Sequence, residues 1–115
     1  MITYENRLSV TPDAKPLHIK LSQNNKDYTL VFNLYSLVGT FTMESGSTVT
    51  LQGRRPDPDR SEFSVGASVS GTTVTVTGIS GILNVPGQAV CEIVIQKNNK
   101  QLSTSNFYLD IEPKA

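Results

Sequence analysis

The run from Gln88 to Glu112, QAVCEIVIQKNNKQLSTSNFYLDIE, constrains the fold more than any other part of the chain. Ala89, Cys91, Ile93 and Ile95 share one face and Glu92 and Gln96 the other, while Phe107, Leu109 and Ile111 alternate with Tyr108, Asp110 and Glu112. A period of two marks half-buried strands. Between the two segments, Lys97-Asn98-Asn99-Lys100 carries two asparagines, which tolerate positive φ and suit the primed turns that match strand twist. The whole reads as a hairpin with one apolar face to bury.

The alternation recurs upstream. Leu17, Ile19 and Leu21 alternate with His18 and Lys20, and after the polar turn Ser22 to Asp27 the set Tyr28, Leu30, Phe32 and Leu34 alternates again. Phe41 and Met43 predict a short strand closed by Glu44-Ser45-Gly46-Ser47, beyond which Val49 and Leu51 point one way. Phe63, Val65, Ala67 and Val69 keep the period up to Ser70-Gly71. Val74 and Val76 then alternate with Thr73, Thr75 and Thr77, predicting a second hairpin.

Seven or eight short strands at nearly regular spacing predict an all-β chain, an antiparallel β-sandwich of immunoglobulin-like or jelly-roll-like type. At most one short helical turn is expected, over Gly78 to Val85, where Gly78, Ser80 and Gly81 weaken a helix and Pro86 stops it. The predicted inward set is Ile19, Leu21, Leu30, Phe32, Leu51, Val74, Val76, Ile93, Ile95, Phe107 and Leu109.

At 115 residues the chain suits one domain, residues 1–115, and one this long buries roughly 65% of its unfolded surface, enough to fold without staples. Residues 1–16, with Pro12 and Pro16, read as a loose lead-in or an edge strand, and 113–115 as a tail. The N-terminus has no basic start followed by an apolar run, and no segment approaches a membrane span, so synthesis in the cytoplasm without a signal peptide is expected.

Ten basic and ten acidic residues leave no net charge, and no basic stripe is interleaved with aromatics. That argues against nucleic acid and against an anionic membrane as partners. One cysteine cannot form an intramolecular disulfide, and no Cys/His cluster suggests a metal, so no cofactor is expected.

His18, the single histidine, lies opposite Leu17 and Ile19 in parity and so reads as an outward strand residue. Catalysis would need a nucleophile and an orienting carboxylate beside it. Cys91 shares parity with Ile93 and Ile95, which makes it a core thiol. The loop Arg54 to Glu62 holds Asp57, Asp59 and Glu62, which are hard oxygen ligands for calcium or an acid–base pair on a functional reading. Arg54, Arg55 and Arg60 compete for those carboxylates, so mutual pairing is the simpler expectation. The loop Gln23 to Asp27 reads as a turn. No constellation indicates an enzyme. A small carbohydrate-binding β-sandwich module is the alternative function, weakened by the absence of tryptophan and by only four tyrosines, of which Tyr4 and Tyr108 are peripheral. An immunoglobulin receptor domain would show paired cysteines around a core tryptophan.

Gly87, CEIVI, the polar turn and LSTSNFYLDIE resemble the closing segment of the phage baseplate upper protein N-terminal domain family, with Leu102, Thr104, Asn106, Phe107, Leu109 and Ile111 at its motif positions. Val49, Leu51, Gly53, Pro56 and Asp57 resemble an earlier motif of the same family, and the likeness runs from Ile19 to Glu112. Two departures stand out: Pro58 where glycine is usual, and an Ile79 to Val85 region without the helical-turn residues that often precede the glycine matched by Gly87.

The resemblance implies a virion structural protein of a tailed phage or prophage of Gram-positive bacteria, located in the tail baseplate. Its N-terminal attachment domain would dock the upper baseplate protein of the host-adsorption device onto the tail tip. It implies other baseplate or distal-tail proteins as partners, a homotrimer only within a longer polypeptide, and an isolated domain that is monomeric or weakly associated. The chain is then an excised domain or a short member. Thr73, Thr75 and Thr77 are the expected partner interface, as a threonine-rich edge open to strand addition.

Overall fold

The computed structural model describes residues 2–11, 16–23, 28–79 and 81–113. Ten strands form: β1 (Ile2–Ser9), β2 (Leu17–Ser22), β3 (Tyr28–Tyr35), β4 (Thr48–Arg54), β5 (Glu62–Gly66), β6 (Ser68–Ser70), β7 (Thr73–Val76), β8 (Gly87–Lys97), β9 (Lys100–Ser103) and β10 (Phe107–Glu112). They make two packed sheets, one ordered β1-β3-β7-β6 and the other β2-β10-β8-β4-β5, with β9 also on β8. No described segment is a helix, so none is long and apolar enough to cross a membrane.

The all-β sandwich expectation holds, with two corrections. There are ten strands rather than seven or eight, and the sheets are mixed, because β1 pairs parallel with β3 and β2 parallel with β10. The cause is the path of the chain. β1, β2 and β3 alternate between the sheets, so β3 returns beside β1 through a crossover, the connection that parallel neighbours require. Within the N-terminal segment, Ile2–Ser9 lies at one edge of the smaller sheet. Pro12 and the turn residues Asn24 to Asp27 lie outside the described residues, as do Lys114 and Ala115 of the tail.

The closing hairpin is more finely divided than the alternation suggested. β8 turns through Asn98-Asn99 directly into β9, with Asn98 at φ 53 and Asn99 outside the positive-φ region. β9 and β10 then lie in succession along the same edge of β8, separated by Thr104 to Asn106. Buried Thr104 bridges this break. Its N–H donates to the Ile93 carbonyl (3.0 Å) and its Oγ1 accepts from the Ile93 N–H (3.0 Å), so both backbone groups of Ile93 stay satisfied.

Phe41 and Met43 form no strand. They are half-buried and pack against the core rim without a ladder partner. At Ala67 the chain passes from β5 in one sheet to β6 in the other, and Val69, opposite buried Val74 and so on the inward face, is exposed because β6 is an edge strand.

Every residue of the predicted inward set is buried. Phe32 on β3 and Phe107 on β10 meet at the centre, with ring centroids 4.9 Å apart and planes tilted by 45°, and so tie the two sheets together. Between β7 and β8 the segment around Ile79 is a turn, closed by the Ile82 N–H on the Ile79 carbonyl (2.9 Å). It buries Ile79, Ile82 and Leu83 completely and so caps the core.

Candidate docking surface

Among the positions that carry the family resemblance, Gly53, Pro56, Asp57 and Gly87 have structural reasons. Gly53 pairs with Cys91 on one side and Phe63 on the other, and the Phe63 ring lies over the space a side chain would fill. Gly87 sits at φ +126 against Pro56, a conformation and a closeness that suit glycine alone. Asp57 begins the turn that follows: its Oδ1 accepts from the Ser61 N–H (2.9 Å) and its Oδ2 from the Ser61 hydroxyl (2.6 Å), which holds its carboxyl below the usual carboxylate range. With Pro58 unable to take positive φ, Arg60 does so at φ 50, and its N–H closes the turn on the Asp57 carbonyl (3.0 Å).

Arg54, Arg55 and Glu62 are also paired within that loop. Arg54 donates to Glu62 (2.6 Å), and Arg55 lies against the Phe63 ring and donates to the Glu62 carbonyl. Asp57, Asp59 and Glu62 therefore do not converge, and no group of three or more metal-ligating side chains occurs among the described residues. Beside the loop lies a shallow depression of about 590 Å³, lined in part by Arg54, Arg60, Glu62 and Glu92, so it presents both charges rather than a field of one sign.

His18 is exposed on the outer face of the larger sheet. It stacks on Tyr108 (centroids 4.9 Å, planes 22°), and its Nδ1 shares a hydrogen bond with Asp110 (3.0 Å), whose other oxygen accepts from Gln88 (3.1 Å). His18 thereby covers one face of the Tyr108 ring that a sugar would need. Cys91 is buried, and desolvation pushes its thiol up to about 12.

Thr73 and Thr75 are half-buried on the outer face of the smaller sheet, where the Thr73 hydroxyl donates to Asn33 Oδ1 (2.9 Å); Thr77 is exposed just beyond the strand. Their strand is not an edge. β7 is paired on both sides, with β3 and with β6, so the open edge expected at Thr73 and Thr75 is not there, and Thr77 lies outside both ladders.

Alternation gave no warning of the chief exposed apolar feature. Leu37 is 54% and Val38 83% exposed, on the loop that leaves β3. The Leu37 N–H donates to Thr11 Oγ1 (3.2 Å), and farther along the loop Ser45 accepts from Lys97. The loop thus spans one end of the sandwich, where Phe41, Met43 and the 42%-exposed Leu102 border a smaller hollow. The legible signal was Leu-Val beside Gly39, which takes φ +136 and ends the strand pattern.

No protein-family model matches the chain, and no curated protein matches it. Among solved structures it is similar to the N-terminal domain of phage TP901-1 ORF48, with a TM-score of 0.70 at 16% identity. The superposition covers 97% of this chain and 99% of the other, so the two share one fold from end to end.

Proposed function

We propose that this chain is a structural domain of a phage tail baseplate, which attaches an upper baseplate protein to the tail tip by docking onto a neighbouring tail protein. The end-to-end likeness to a baseplate N-terminal domain carries the reading, because it covers the whole of both chains and agrees with the order of strand motifs in the sequence. Fold alone does not assign function. The surface chemistry supports protein contact: Leu37 and Val38 offer desolvation energy at one end, and the carboxylates with named partners are occupied within the domain. Thr73, Thr75 and Thr77 offer side-chain hydroxyls on a separate face. Any trimer depends on segments outside these 115 residues.

The test is calorimetric titration of the chain with the distal-tail protein of the same phage. Binding is expected, and Val38→Glu should weaken it at least tenfold with an unchanged melting temperature, since truncating or charging a central anchor costs about 2 kcal/mol or more. No binding where the full-length baseplate protein does bind would remove the docking role. Specific glycan binding in its place would promote the carbohydrate-binding reading.

A further inference from the structure

β1 is one of the two edge strands of the smaller sheet, β6 being the other. Among the described residues β1 pairs only with β3, in parallel, and the Val10 N–H donates to the Tyr35 carbonyl (2.8 Å). In a parallel ladder alternate residues face the partner. Tyr4, Asn6 and Leu8 therefore spend their backbone groups on β3, while Thr3, Glu5, Arg7 and Ser9 turn theirs outward. Ser105 seals the far end, since its N–H (2.9 Å) and its hydroxyl (3.2 Å) both donate to the Ser9 carbonyl. From Thr3 to Arg7 no described residue pairs with the edge.

Two side-chain observations say what fits there. Asn6 Nδ2 is shut off from solvent and has no hydrogen-bond partner among the described residues. Glu5 and Arg7, two residues apart on the outer face, carry opposite charges; Glu5 accepts from Asn33 (3.1 Å) and Arg7 stacks over Tyr35 (4.4 Å), so both are held in place at the edge.

We infer that β1 pairs antiparallel with β1 of a second copy, merging two four-stranded sheets across a two-fold axis that passes through Asn6. Glu5 then lies opposite the partner subunit's Arg7, and Arg7 opposite the partner subunit's Glu5, each pair exchanging backbone hydrogen bonds. Asn6 meets the partner subunit's Asn6 at the close, non-hydrogen-bonded position. A turn about its broad terminal torsion lets each carboxamide donate Nδ2 to the other's oxygen. The neighbouring register sets Glu5 against Glu5 and is disfavoured, because like charges directly opposite destabilise a pair. A contact this small gives a weak dimer, with a dissociation constant of about 0.1–1 mM.

Sedimentation equilibrium on the full chain tests this, together with amide exchange read by NMR. Tyr4, Asn6 and Leu8 amides should be protected at every concentration, and the Glu5 and Arg7 amides only as the dimer forms. Arg7→Glu should weaken association about tenfold, because symmetry counts the new like-charge contact twice, and the Glu5→Arg/Arg7→Glu double variant should restore it. Glu5→Pro removes an outward N–H without touching the β3 ladder, and should abolish the dimer while the chain stays folded. A chain that stays monomeric at about 1 mM, a dimer indifferent to Arg7→Glu and Glu5→Pro, or protection of Glu5 and Arg7 that appears only on adding a different protein would each overturn it.

Discussion

Gly53→Ala should be among the most damaging single-methyl changes in the molecule. A Cβ there would fall inside van der Waals contact of the Val90 carbonyl oxygen, 2.9 Å from the end of the Phe63 ring and 3.1 Å from Cys91 Cα. The ring can swing aside, but the carbonyl and the Cα belong to β8, the central strand of the larger sheet, and moving them strains the Gly53–Cys91 and Arg54–Val90 register. Gly53 is not at positive φ, so the cost is overpacking alone. Forcing a methyl into packed structure costs about 1–3 kcal/mol, the upper part of that range where backbone must yield, and reduced unfolded-chain entropy returns about 0.4–1 kcal/mol. A net loss of about 2 kcal/mol is expected, or roughly 8 °C in melting temperature for a domain of this size. Urea unfolding with Gly66→Ala as control measures it. Gly66 lies on the adjacent strand with nothing within 4 Å of an added Cβ, so its substitution should be neutral or slightly stabilising. Equal midpoints for the two variants would refute the reasoning.

Three further outcomes are expected. Phe32→Ala and Phe107→Ala should each cost about 3–5 kcal/mol in urea unfolding, and the double variant should show coupling of about 0.5–1.5 kcal/mol, since the rings touch across the sheets. Thr104→Val keeps the shape but leaves the buried Ile93 N–H without its Oγ1 acceptor, costing about 1–3 kcal/mol, whereas Thr104→Ser should cost less. Cys91 should react with a thiol reagent only after unfolding. Because burial raises its thiol from 9.0 to about 12, the unfolded chain releases that proton first, so stability present below pH 9 should decline as pH rises toward about 12, and Cys91→Ala should flatten that decline.

The sequence by itself determined which side of β2, β3, β4, β7, β8 and β10 is buried. Apolar residues two apart must share a sheet face, so Ile19 with Leu21, Leu30 with Phe32, and Phe107 with Leu109 could be placed inward without knowing their neighbours. Cys91 followed from the same parity, and His18 outward from the opposite one. The motif glycines were visible as residues, but their reason lies in distant contacts, Gly53 beneath Phe63 and Gly87 against Pro56. Ile79, Ile82 and Leu83 escaped notice because a turn buries side chains with no fixed period. Parity also says nothing of which strand lies beside which. Crossovers between the sheets set β1 parallel to β3, placed β7 inside the sheet instead of at its edge, and left β1 open along Thr3 to Arg7. Those features depend on closing long loops so that remote segments meet, and only the tertiary structure decides that, because a side-chain period of two records the face toward the core and carries no information about the neighbour in the ladder.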